Sequence, residues 1–466
     1  MEKKKVYILL PDGIGLRNFA YTDFYKIGKS EEYDIIYWNN TPFDLFDLGF
    51  SEIKIKDARA TSLTDIYKNV KIQSELNLNI KKTGDVVYDT YRFPFLYSNL
   101  KLAIKSIVIH SLTKFYFSQK GLNKIRKKMN LKERKTAYYR QSLATLKKEK
   151  PSIVFCTNQR PVVALAPLLA AKDLNIPTAT FIYSWDNLPK ATMVVETDYY
   201  FVWSDHMKKE LLNYYPYIID SQIFVTGTPQ FEPHFDLDKI VSKAHFFQMY
   251  KLDINKKYIC YSGDDVTTCP DDAQYLSDVA TAVRQLNRDG NSLGIIFRRC
   301  PVDFSNRFDE VLEKNKDIIT PIAPIWEQIG EGWNAVLPTR ADLDLQINTI
   351  YHTEMVINLG SSMVFDYVTH KKPCAFINYD VKNKVLKDWS VSKIYNFVHF
   401  RSMPNNNSVL WINSADAITA IIEKGIANNS SVIEVAKQWF EIINQHPPQE
   451  ASRRIWQGIK TIISKE

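Results

Sequence analysis

Short apolar runs alternate with stretches of helical periodicity along most of the chain. Residues 6–10, 33–38, 152–156, 178–183, 199–203 and 223–226 are rich in β-branched and aromatic side chains and end at polar or turn residues, so each reads as a strand. A second series reads the same way at 258–261, 293–298, 335–337, 355–358 and 374–378. Helical patterns lie between them; in the one over 161–172, Pro161 takes a first-turn position, where its missing N–H costs nothing. Strands alternating with helices predict parallel sheets covered on both faces. Two such series predict an α/β protein of two doubly wound, Rossmann-like domains.

The segment Gly227-Thr228-Pro229-Gln230-Phe231-Glu232-Pro233 closes the first series, since glycine and proline punctuate regular structure. The expected division is a first domain over 1–230, a linker over 231–250, a second domain over 251–430 and terminal helices over 431–466. In that last stretch Ile455, Ile459, Ile462 and Ile463 share one helix face after the break at Pro447-Pro448.

Composition narrows the class. A chain of 466 residues, 45% hydrophobic and 24% charged, is ordinary globular material, enough for two or three domains at ~150 residues each. Its net charge of +8 is unevenly placed: residues 101–150 hold 15 Lys/Arg against 2 Asp/Glu, and the rest of the chain holds 45 against 50. That stretch reads as inserted basic helices, with Leu102, Ile104, Ile107, Val108 and Ile109 set among Lys101, Lys105 and Lys114. Two readings stand for it, a solvated helix pair or a face for an anionic membrane surface or lipid-linked diphosphate. So local a charge argues against a nucleic-acid partner. The five cysteines are scattered and the eight histidines show no ligand-like spacing, so a reducing compartment is expected and a metal is not. Pro11-Asp12-Gly13 ends the first apolar run too early for a signal peptide, and no run approaches the ~20 residues of a membrane span. The expected location is the cytoplasm, with peripheral attachment to the membrane left open by the basic helices.

Open α/β sheets bind ligands beyond the C-terminal ends of their strands, so the turns there carry the candidate chemistry. Gly360-Ser361-Ser362 lies between a strand and a helix. Glycine admits close approach, and two hydroxyls with the free amides of a helix start suit a phosphate. Asp366, one turn further, can accept hydrogen bonds from a ribose; the same residues also fit a plain helix cap and a surface carboxylate. Gly263-Asp264 and Arg298-Arg299 follow two other strands of the second series, and guanidinium suits a diphosphate. Alternation along a strand leaves at most one of that arginine pair facing a ligand. In the first series, Asp12 between Pro11 and Gly13 reads as a general base or as a turn former, and Gly13 and Gly15 allow backbone to approach an acceptor. Asp186 is a second candidate proton acceptor, with Trp185 and Asn187 beside it for the acceptor.

These segments carry a resemblance. Residues 355–377 resemble the donor-binding element of GT-B glycosyltransferases, the class built from two Rossmann domains. They are especially similar to the Asp-Tyr-Ser-Ser-x-x-Phe-Asp-x-Ala…Lys-Lys-Pro element of CDP-glycerol and ribitol-phosphate transferases. Ser361, Ser362, Phe365, Asp366, Lys372 and Pro373 match it, while Asn358-Leu359-Gly360 departs. Val225-Thr226-Gly227-Thr228-Pro229 resembles the turn that closes the N-terminal domain in many GT-B proteins and in UDP-GlcNAc 2-epimerases. Residues 183–190 resemble the Thr-Trp-His-Gly-Thr-Pro-Leu-Lys stretch of polyol-phosphate transferases, with Asp186 in place of the histidine.

The resemblance implies a GT-B fold with a cleft between its domains and terminal helices crossing back onto the first. It implies donor phosphates on Ser361 and Ser362 and a ribose on Asp366. The activity it implies is metal-independent transfer of a sugar from a nucleotide-sugar, a UDP-sugar first, to a cell-surface glycan or lipid-linked acceptor in polysaccharide or cell-envelope biosynthesis. No cofactor is implied beyond that co-substrate. Polyol-phosphate transfer from a CDP donor, UDP-sugar 2-epimerisation and non-catalytic glycan binding are the alternatives.

Overall fold

A computed structural model describes residues 3–330, 335–427 and 430–465. The chain divides into two compact units, one of 1–230 with 328–337 and 443–466, the other of 231–327 with 338–442. The first is built on seven strands: β1 (Lys5–Leu10), β2 (Asp34–Asn39), β3 (Glu52–Lys54), β4 (Ile153–Cys156), β5 (Thr178–Phe181), β6 (Tyr199–Val202) and β7 (Ile223–Val225). They pair in parallel in the order β3-β2-β1-β4-β5-β6-β7. Val6 to Leu10 are fully buried, as expected of a strand covered on both faces.

Between β3 and β4 lie the helices Ser62–Thr83, Leu100–Tyr116, Gln119–Glu133 and Ala137–Glu149. Thr61, Asn99, Ser118 and Thr136 start them, each accepting a hydrogen bond from the backbone N–H three residues on. Ile109, Ile125, Met129 and Leu146 point inward and join Tyr7, Leu9 and Val154 in one core cluster. Helix Ala451–Ser464 completes the unit. Its buried Trp456 stacks on Phe24 and Tyr33 with ring centroids 4.9 and 4.8 Å apart, and its indole N–H donates to the Phe24 carbonyl at 2.7 Å. A Cβ at Gly28 would lie 2.1 Å from that indole, so glycine is what lets the helix seat.

The second unit is built on β8 (Lys257–Ser262), β9 (Leu293–Arg298), β10 (Ile319–Pro321), β11 (Val356–Asn358), β12 (Cys374–Ile377) and β13 (Leu410–Ile412). These are again parallel, in the order β10-β9-β8-β11-β12-β13. Residues 231–250 are folded into this unit: Phe246 and Phe247, on helix Lys243–Met249, share a core cluster with Leu252, Tyr258 and Ile296.

The fold class predicted from the sequence is the one observed, with differences in detail. The strands missing from the sequence reading, β3, β10 and β13, are three-residue sheet edges, too short to leave an apolar run. Residues 335–337, read as a strand of the second series, fall in Val336–Pro338, which is extended but outside the six-stranded sheet. The terminal helices divide between the units. Helix Ser430–Ile443 packs Trp439 and Phe440 on Phe365, and Phe440 also meets Phe231, all within the second unit.

Candidate active site

In each sheet the strand order reverses direction once, between β1 and β4 in the first unit and between β8 and β11 in the second. A crevice opens at such a point because the flanking connections leave on opposite faces, and ligands of open α/β sheets bind there. At both points the turn after the first strand presents an aspartate, Asp12 and Asp264.

Asp12 is buried, and its Oδ2 accepts a 2.8 Å hydrogen bond from the Asn158 side chain at the end of β4. Its Oδ1 has no hydrogen-bond partner among the described residues. Burial pushes the Asp12 carboxyl up, while Asn158, the Gly15 and Ile14 amides and the charge of Arg160 oppose without cancelling it. Asn158 is itself fixed, since its Oδ1 accepts from the Arg160 backbone N–H at 3.1 Å. Beside it, buried Gln159 ties the strand ends together: it donates to Asn187 Oδ1 at 2.9 Å and accepts from the Tyr183 N–H at 2.9 Å. The Tyr183 phenol is pushed up first by burial, and it feels Asp12, Arg17, Arg160 and Asp186 together. This one edge therefore gathers two acids, two bases and a tyrosine.

Asp186 is ion-paired with Lys190 and accepts from the Asn187 side chain at 2.9 Å. Across from it, Glu210 is pushed up to about 8, by burial first and by the Asp186 charge second. Burial and the neighbouring Asp186 charge together favour the protonated form of Glu210.

In the second unit Asp264 is also pushed up, well above the usual carboxylate range, by burial and then by Asp272 and Asp265; Arg307 and the Leu359 N–H at the end of β11 oppose. Its Oδ2 is buried without a hydrogen-bond partner among the described residues. Arg307 is largely committed to the loop: Nε to Asp303 at 2.8 Å and Nη2 to the Asp264 carbonyl at 2.6 Å. Arg298 makes a two-point contact from Nη2 to Asp342, 2.8 and 2.9 Å, and its buried Nη1 has no partner among the described residues. Burial acts to raise Asp342, but Arg298, the Ile325 amide and the Trp326 indole outweigh it and hold that carboxyl low.

Gly360 sits at φ +67°, in the left-handed region where a side chain is strained, and a Cβ there would crowd Phe400 at 3.0 Å. The Ser361 amide is held by Asn358 Oδ1 at 2.9 Å, and Ser361 and Ser362 lead into helix Met363–Thr369. Lys372 donates to the carbonyls of Ile350, Tyr351 and Thr353, closing the C-terminal end of helix Arg340–His352.

Several residues singled out in the sequence serve the fold at these turns. A Cβ on Gly13 would lie 2.4 Å from the Val336 carbonyl oxygen and one on Gly15 2.5 Å from Thr157 Oγ1, so protein fills the approach these glycines were expected to leave open. Arg299 turns away from Arg298 and donates to the Ser305 carbonyl at 2.6 Å. Gly263 lies close under Asp272 and Phe297, and Asn187 and Trp185 are buried. Asp366 is buried with Oδ1 3.0 Å from His234 Nε2, and His234 Nδ1 lies 3.1 Å from His370 Nε2, so the carboxylate faces a histidine chain instead of open space. The sequence reading missed Asn158, Arg160 and Glu210 as site residues. The first two stand directly after a strand, the one signal that marked them.

No family model matches the chain, and no curated protein matches it. Solved structures do. A putative UDP-N-acetylglucosamine 2-epimerase from Listeria monocytogenes is similar over 100% of this chain and 98% of its own, at TM-score 0.53 and 10% identity. A glycosyltransferase from Rickettsia africae matches over 100% of both chains, at TM-score 0.53 and 12% identity. The wall teichoic acid polymerase TagF matches over 99% of this chain and 90% of its own, at TM-score 0.50 and 11% identity. The fold is that of the GT-B class. At these identities the likeness establishes the fold, and the chemistry rests on the residues at the two turns.

Proposed function

We propose that the chain transfers a sugar from a nucleotide-sugar to a hydroxyl acceptor, with Asp12 as the proton acceptor and the turns of the second unit as the donor's phosphate site. The observation that carries this reading is Asp12: a buried carboxylate at the strand reversal, oriented by the Asn158 side chain, its affinity for protons raised by burial. Fixed orientation and a raised pKa are what a base needs. The acceptor hydroxyl gives its proton to Asp12 as its oxygen attacks the anomeric carbon. The bond from that carbon to the donor phosphate breaks, and the nucleoside diphosphate leaves with the electron pair. In the second unit the Ser361 and Ser362 hydroxyls and the remaining Arg298 Nη1 donors are suited to phosphate oxygens, and Asp264, its affinity for protons raised by burial, adds a donor when protonated. Asp366 acts through His234, as a positioning residue. That the same fold serves proteins named as a UDP-N-acetylglucosamine 2-epimerase and a glycosyltransferase supports a nucleotide-activated sugar as the donor.

The test is thermal stabilisation of the purified protein across UDP, GDP, CDP, CMP, dTDP and ADP without added metal. A ligand at ~100 times its dissociation constant adds ~2.7 kcal/mol, a clear shift in Tm. A shift with UDP, GDP or dTDP, together with acceptor-dependent turnover lost in Asp12→Asn, supports the proposal. A shift confined to CDP or CMP points to polyol-phosphate transfer, and UDP-sugar isomerisation without acceptor points to epimerisation. No shift with any nucleotide overturns the donor assignment.

A further inference from the structure

Helix Leu100–Tyr116 is anchored by one face and bare on the other. Ser106, Ile109 and Thr113 are buried against the first unit. On the opposite side Leu100, Ile104, Ile107 and Phe115 are 77, 53, 58 and 83% exposed. At 3.6 residues per turn these four, with Val108, form one stripe about 100° wide. Lys101 and Lys114 flank it on its two sides. The preceding loop extends the apolar surface with exposed Phe93, Leu96 and Tyr97, and Phe117 follows the helix.

Charge selects the occupant. Within the same insertion Lys105, Arg126 and Arg134 are neutralised by Asp65, Glu196 and Asp173. Lys101, Lys114, Lys120, Lys124 and Lys127 are exposed, and among the described residues none of them is in an ion pair. A second copy of the chain would bring the same excess of 15 basic over 2 acidic residues against itself. A nucleic acid would find bare aliphatic and phenyl groups where it needs donors. A bilayer surface satisfies both features, since apolar side chains enter the boundary below the headgroups while lysines meet anionic lipid. No described helix is long and apolar enough to cross a membrane, so the helix would lie in the interfacial plane.

We propose that the face of helix Leu100–Tyr116 and its flanking lysines docks the protein on a bilayer surface rich in anionic lipid. The test is co-sedimentation of the full chain with vesicles of phosphatidylcholine alone or mixed with phosphatidylglycerol. Binding is expected to the mixed vesicles only, weakening as salt rises from about 0.1 to about 0.5 M. Ile107→Glu and Phe115→Glu, both at exposed positions, are expected to lower the affinity on the order of 10-fold or more with an unchanged melting curve. Lys101→Gln and Lys114→Gln are expected to cost roughly 5-fold each. Equal binding to both vesicle types, no binding, or binding indifferent to the Glu variants overturns the proposal. So does a wild-type dimer that Ile107→Glu dissociates without any vesicle binding, which would assign the face to a second copy.

Discussion

The two strand reversals place an aspartate at the same topological position and surround it with opposite charge. Asp12 has Arg160 near it and an amide side chain holding one oxygen. Asp264 has Asp272 and Asp265 as its strongest charged neighbours. Burial raises both carboxyls, but the cation by Asp12 keeps proton exchange within reach, whereas the anions by Asp264 drive it toward the neutral acid. Under the proposed function, the same backbone plan presents a proton acceptor in one unit and a hydrogen-bond donor in the other. Topology fixes where a group stands, and the neighbouring side chains decide what it does.

Four measurements break or sharpen this contrast. The largest effect is expected from Asp12→Asn, which removes the base while keeping its shape: turnover should fall by roughly 10²- to 10⁴-fold. Because the carboxyl is raised in the folded protein, the native state binds more protons above the ordinary carboxylate range, and wild type loses stability as pH rises there. The Asn variant lacks that loss, so its Tm at neutral pH should equal or exceed that of wild type. Asp342→Ala should come next, leaving Arg298 buried and unpaired at a cost of about 3–5 kcal/mol in denaturant unfolding. Arg298→Met with Asp342→Leu should recover part of it.

Glu210→Gln sharpens the picture on the first unit's side. With Glu210 pushed up to about 8, the folded wild type binds more protons than the unfolded chain between the ordinary carboxylate range and that value. Wild-type stability therefore falls as pH climbs through this window, by on the order of 1.4 kcal/mol per unit at most, and levels off above it. The gap between Glu210→Gln and wild type should widen from pH 5 to pH 9 in paired melts. A constant gap would mean that Glu210 titrates normally. The smallest effect is expected from Asp264→Asn, since an amide resembles a neutral acid: nucleotide affinity by calorimetry should stay within roughly threefold. A large loss there would show that Asp264 works ionised, and the contrast between the two aspartates would collapse.

Much of this was legible in the sequence where burial is two-sided. The runs that became β1, β4, β8 and β9 are apolar because helices cover both their faces, and they announced themselves. The turn holding Asp12 was legible for the same reason, as a Pro-Asp-Gly directly after such a run. Its partner was not, because Asn158 lies 146 residues away and only the order of strands brings β4 beside β1. Asp342 stands in the first turn of helix Arg340–His352, where sequence alone does not say which way it faces. The capping of helix Arg340–His352 by Thr339 turns it inward, where Arg298, Ile325 and Trp326 converge on it. Asp366 failed in the other direction: its spacing from Ser362 fits a ribose ligand, but a histidine from a segment 132 residues earlier occupies one oxygen. Local pattern locates a turn, and long-range packing decides which side chains remain available in it.

Helix Ala451–Ser464 carries a consequence for how the chain is made. All seven strands of the first unit have been synthesised once residue 225 is translated. The groove over Gly28, however, waits for Trp456, whose hydrogen bond to Phe24 joins residues 432 positions apart. Throughout synthesis of the second unit the growing chain displays Phe24 and Tyr33 uncovered. Its earliest-made half is therefore the last to close, and a ribosome stalled anywhere in the second unit holds a product whose oldest apolar surface is still open to other chains.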